Sequence, residues 1–68
     1  MKDDIKYFKV YYPIGGWEWY RKIPYECHFY SSGGFWHACG EPDKERQVEV
    51  SKLEMLILFG REAVSEVL

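Results

Sequence analysis

Two cysteines and two histidines lie close together in the middle of this chain, at Cys27, His28, His37 and Cys39. Thiolate and imidazole are the ligands zinc prefers, and a cysteine within reach of a histidine is also the raw material of nucleophilic catalysis. Residues 25–30 and 35–39 read as the two strands of a hairpin around Ser31-Ser32-Gly33-Gly34, a block of turn-forming residues. A three-residue loop there sets Cys27 opposite Cys39 and puts His37 on the face of Cys39. His28 then points to the other face. Three soft ligands gather where a structural zinc wants four, and the spacing matches no zinc-finger pattern. A reducing compartment disfavours a disulfide between the two thiols. The expectation is half-buried thiols in an aromatic hairpin, with no metal and no cofactor.

Catalysis has no more support. No Ser-His-Asp or Cys-His-Asn set is recognisable, and one small sheet with one helix leaves little room for a pocket. Gly15-Gly16 and Gly33-Gly34 fall in hairpin turns, without the spacing or following helix of a phosphate cradle. An enzyme is not expected.

The elements that position these residues must form one small domain, 1–68. Chains this short bury only about 60% of their unfolded surface and are marginal alone. Here the compensation is aromatic, with three Trp, six Tyr and four Phe. So many rings cannot all hide in 68 residues, and surface Tyr and Trp favour interfaces. The net charge of −2 and pI near 5.6 argue against a general nucleic-acid binder, since such proteins carry a basic patch. The basic excess lies before Ile23 and the acidic excess between Ile23 and Val50, which suits a protein partner. The start of the chain does not read as a signal peptide, and no apolar run approaches the roughly 20 residues of a bilayer span. No membrane association and a cytoplasmic location are expected.

Residues 4–12 alternate, with Ile5, Tyr7, Lys9 and Tyr11 opposite Lys6, Phe8, Val10 and Tyr12. After the turn 13–16, residues 17–23 form a second strand that Pro24 ends or places at a sheet edge. A loop at 40–44 leads to a short strand over 46–50, with Val48 and Val50 facing in. Ser51 and Glu54 then form a helix-start signature, and Gly60 stops the helix. Residues 61–68 fit either a continued helix or an edge strand. The predicted architecture is an antiparallel meander packed against one short helix, class α+β.

That helix carries the main functional clue. Leu53, Leu56 and Ile57 share a face at helical spacing, while Met55, Leu58 and Phe59 cover much of the rest. A helix apolar most of the way round must be covered on two sides, one by its own sheet and the other by a second copy or a partner.

The segment Val48-Glu49-Val50-Ser51-Lys52-Leu53-Glu54-Met55-Leu56, with Phe59-Gly60 and 63–68 after it, resembles the small dimeric uracil-DNA glycosylase inhibitors of tailed Bacillus phages. In that family an aliphatic strand end and a serine lead into a short helix that closes in Tyr-Gly. The resemblance implies a homodimer whose apolar pocket takes the side chain the enzyme wedges into DNA. The dimer thereby acts as a protein mimic of DNA in the host cytoplasm and evades host defence. By position it puts Leu53 at an aromatic place, Glu54 at the acid and Phe59 at the closing tyrosine. With Ile57 beside Leu53, these are the expected partner-binding residues. This chain departs from the pattern in having no aromatic at Leu53 and two extra residues, Ile57-Leu58. An inhibitor of another bacterial defence nuclease, anti-CRISPR-like, calls for the same kind of surface. A single-stranded nucleic-acid module would instead stack bases on the aromatic strands, with Lys6, Lys9, Arg21 and Lys22 on phosphates.

Overall fold

Aromatic and β-branched residues fill the first half of the chain, and they form strands because their side chains pack well on a pleated surface. The computed structural model describes residues 5–64. Strands β1 (Lys6–Tyr12), β2 (Gly16–Ile23), β3 (Glu26–Tyr30) and β4 (Trp36–Cys39) make an antiparallel meander. Strand β5 (Val48–Val50) adds on the far side of β1, giving the order β4-β3-β2-β1-β5. Helix α1 (Lys52–Phe59) follows, and a 3-10 turn over Arg61–Val64 ends the described chain. The class is α+β, with one helix on a five-stranded meander.

Cross-strand ring pairs hold the register. Phe8 stacks on Tyr20 directly opposite it, with centroids 5.1 Å apart and planes 6° from parallel. Tyr11 meets Trp17 edge-on at 5.3 Å, and Tyr30 meets Trp36 at 4.8 Å, each again a directly opposed pair. Such pairs contribute roughly 0.2–1 kcal/mol each. Pro24 ends β2, and Ile23 pairs with Glu26 across a tight turn that leaves Tyr25 exposed.

Both faces of the sheet carry core. On one face Tyr7, Val50, Met55 and Val64 cluster under α1, with Trp19, Trp36 and Phe59 against them. On the other, Phe8, Val10, Tyr20 and Cys27 cluster with Phe29 and Tyr12. Among the described residues no α-helix covers the second face. Its cover is the segment 40–47, which runs from β4 at one edge of the sheet to β5 at the other. Glu41 accepts from Lys22 Nζ at 2.9 Å and from Gln47 Nε2 at 3.1 Å. Farther along, Arg46 donates to the Tyr11 carbonyl at 2.7 Å while its guanidinium sits over the Tyr12 ring.

The short strand before the helix differs from expectation. Arg46 belongs to a 3-10 turn over Lys44–Arg46, capped by Asp43, and the strand starts at Val48. Val50 is buried as expected, but Val48 is 45% exposed, because β5 is an edge strand and α1 covers only the end that leads into it. The alternative of helix or strand after Gly60 resolves as a 3-10 turn for 61–64; residues 65–68 lie outside the described part.

Two predictions follow from this packing. Met55 is fully buried, so Met55→Ala should destabilise by about 2–5 kcal/mol in urea unfolding, whereas Lys52→Ala, at an exposed position of the same helix, should stay within about 0.5 kcal/mol. Lys22 and Gln47 hold the Glu41 carboxyl below its ordinary value of 4.5. Its contribution is therefore complete above pH 4.5 and lost as the pH falls below it. Glu41→Gln should flatten the acid limb of stability measured by circular dichroism; an unchanged acid limb would show that the strap is held by other contacts.

Candidate functional site

Helix α1 begins where the sequence places it. The Ser51 hydroxyl accepts from the amide of Glu54 at 3.0 Å, and Met55 N–H bonds the Ser51 carbonyl. Gly60 closes it with its amide on Leu56 O at 2.8 Å and a backbone at φ 90°, a region that residues with a Cβ rarely adopt. At about 100° per residue, Met55 and Phe59 point to the sheet and Leu53 and Ile57 point away. Exposure follows that geometry: Met55 is 0%, Leu53 64% and Ile57 73% exposed. Leu56 and Leu58 flank this ridge and are exposed too. The helix docks by one thin stripe and turns most of its apolar surface outward.

The four expected partner-binding residues therefore separate. Leu53 and Ile57 lie together on the outer ridge. Glu54 lies on the flank, its carboxylate 3.9 Å from Lys9 Nζ. Phe59 turns inward and meets Trp19 edge-on at 5.3 Å and Tyr30 at 4.9 Å. It closes one side of an open cavity of about 400 Å³ whose other walls include Trp17, Trp19 and Tyr30. Trp19 Nε1 is buried beside this cavity with no acceptor among the described residues.

On the same side of the sheet, Tyr11 and Trp17 are exposed, and Lys9 Nζ sits 4.5 Å from the Trp17 ring centre. Lys9 links this cluster to Glu54 on the flank of the helix. Sequence reading offered these aromatics as core, as an interface or as a stacking platform, without separating the three. The alternation of β1 and β2 put them on one face, but only the position of α1 shows which end it leaves bare.

The soft-ligand set behaves as the hairpin register requires. Cys27 and Cys39 are directly opposed, and their sulfurs are 4.0 Å apart. His37 lies on the same face but stacks on Phe29, with centroids 5.2 Å apart. His28 is on the other face. Among the described residues no three of His, Cys, Asp and Glu converge as a metal site.

His28 has a partner that sequence reading missed. Arg21, opposite it on β2, donates from Nε to His28 Nδ1 at 3.1 Å. An Nδ1 that accepts leaves the ring proton on Nε2, which faces Glu26 Oε1 at 2.9 Å. The guanidinium lies 4.6 Å from the Trp36 ring centre, and Trp36 Nε1 reaches Ala63 O at 3.2 Å. Burial lowers the Arg21 pKa and raises that of Tyr7 beside it, the latter opposed by the guanidinium charge. This is a structural tie between the sheet and the segment after α1. Its one sequence signal, Arg21 and His28 on adjacent strands, needs the register to be seen.

The same tie corrects the phosphate-contact assignment. Arg21 is buried and committed to His28, Lys22 to Glu41, and Lys9 to Glu54 and Trp17. Of the four cations expected to track a nucleic-acid backbone, three are engaged within the chain. No described helix is long and apolar enough to cross a membrane. Compared with protein-family models, curated proteins and solved structures, the chain matches none.

Because Arg21 supplies the donor to a buried imidazole and packs under an indole, Arg21→Ala should cost about 2–3 kcal/mol in chemical unfolding. Lys6→Ala, at an exposed strand position, should cost less than about 0.5 kcal/mol.

Proposed function

We propose that this chain is a small non-catalytic binding protein. It pairs with a second copy through the outer ridge of α1, and the pair blocks the DNA-binding face of a host DNA-acting enzyme, uracil-DNA glycosylase. The observation that carries the pairing is the orientation of α1, with Leu53, Leu56, Ile57 and Leu58 exposed on an eight-residue helix. Apolar patches of this kind mark interaction sites. A two-fold pairing matches the ridge with itself, which is the commonest closed arrangement of soluble oligomers.

The choice of target rests on the resemblance of residues 48–68 to the phage inhibitors. The aromatic cavity beside Phe59 suits an apolar side chain of the enzyme, and the acidic balance suits a site built to hold DNA. In this arrangement Leu53 and Ile57 make the pair, Glu54 flanks it, and Phe59 shapes the cavity from inside.

Light scattering and a uracil-excision titration test the two parts separately. The chain should be a dimer at micromolar concentration, and Leu53→Asp or Ile57→Asp should make it a folded monomer with at least about tenfold weaker inhibition. Both side chains point outward, so the variants should keep the circular dichroism of the parent. Inhibition should reach completion near a two-to-one ratio of chain to enzyme. A monomeric parent rules out the pairing, and a dimer that leaves excision untouched at large excess rules out the target alone.

A further inference from the structure

Strand β4 is the weak side of this sheet. It is four residues long and, among the described residues, lies at the edge and pairs only with β3. Yet it carries Trp36, which covers Arg21 and donates to Ala63 O, so the segment after α1 is seated on it. At the far end of the same strand, Cys39 faces Cys27 directly across the ladder. Opposed residues of an antiparallel pair have Cα atoms roughly 4.5–5.5 Å apart, inside the range a disulfide spans. The sulfurs are 4.0 Å apart, so small side-chain rotations bring them into bonding range without moving the strands.

We propose that Cys27 and Cys39 form a reversible cross-strand disulfide by exchange with a small-molecule disulfide, and that this bond locks β4 onto the sheet. This rests on the hairpin alone and is independent of the binding target.

The two thiols have different exposures. Cys27 is buried, while Cys39 is partly open to solvent. They border an open groove of about 370 Å³ that also includes Lys22, Tyr25 and Glu41 and admits a reagent from one side. Burial, with the neighbouring thiol next in weight, pushes the Cys27 pKa up to about 12. Cys39 is therefore the first attacking group. Its thiolate bonds to one sulfur of the incoming disulfide, whose S–S bond breaks and releases one thiolate. Cys27 then gives its proton to solvent and attacks Cys39 Sγ, expelling the second thiolate. Two electrons pass from the protein thiols to the small disulfide, which ends as two thiols.

The test is equilibration of the full chain in glutathione buffers from fully reduced to fully oxidised, with an alkylating quench and intact-mass analysis. Across that range the dialkylated species should convert to a monomer lighter by two hydrogens and carrying no alkyl group. Oxidation should also raise Tm by about 10 °C or more, from closure of a short loop in a small domain. Cys27→Ser and Cys39→Ser should each abolish the shift. Three outcomes would overturn the proposal: thiols that remain alkylatable in oxidised glutathione, a mixed adduct or cross-linked pair of chains as the end product, or a disulfide that leaves Tm unchanged.

Discussion

The constraint on which the rest of this structure depends is that its sheet is apolar on both faces. Tyr7 and Val50 point one way from the strands, and Phe8, Val10 and Tyr20 the other. Among the described residues there is one short α-helix to cover them. One face takes α1 and the turn after it; the other takes a strap of eight residues, 40–47, tied down by Glu41 and Arg46. Neither cover is thick. The strap depends on polar contacts at its two ends, and the helix depends on Met55 and Phe59. That economy accounts for the surplus of rings: directly opposed cross-strand ring pairs supply contact area that a larger protein would obtain from a second layer.

A thin dock has a consequence for the helix. An eight-residue helix is not stable on intrinsic propensity, so α1 exists because Ser51 caps it, Gly60 ends it and the sheet holds its inner stripe. Its outer residues contribute little to that fold. Leucine and isoleucine at exposed positions are not accounted for by the chain's own packing, and association is the use we propose for them. Phe59 has the opposite character. It joins the helix to Trp19 and Tyr30, so its loss would act first on the fold and only then on any partner.

The strand ladder also arranges the polar chemistry. Cross-strand register brings Arg21 to His28 and Cys27 to Cys39, on opposite faces of neighbouring strands. The first pair ties the sheet to the chain after α1 through Trp36; the second sits where that strand is least supported. Both pairs use strand β3, and a slip of one residue there would send its side chains to the wrong face.

Much of this was legible in the amino-acid sequence. Strict alternation in β1 and β2, the Ser-Ser-Gly-Gly turn, the opposition of Cys27 and Cys39, and the capped helix from Ser51 to Gly60 are local signals, set by backbone preference and side-chain period. The all-round apolar character of α1 was legible too. Tertiary structure alone decided which stripe docks, because Leu53, Ile57 and Phe59 are equally apolar and only the position of the sheet turns Phe59 in and the other two out. It also decided that 40–47 crosses the second face, that Val48 stays exposed at an edge, and that Arg21 is buried under Trp36 instead of reaching solvent. Strand order and long-range packing settle those points, and neither leaves a periodic trace in the chain.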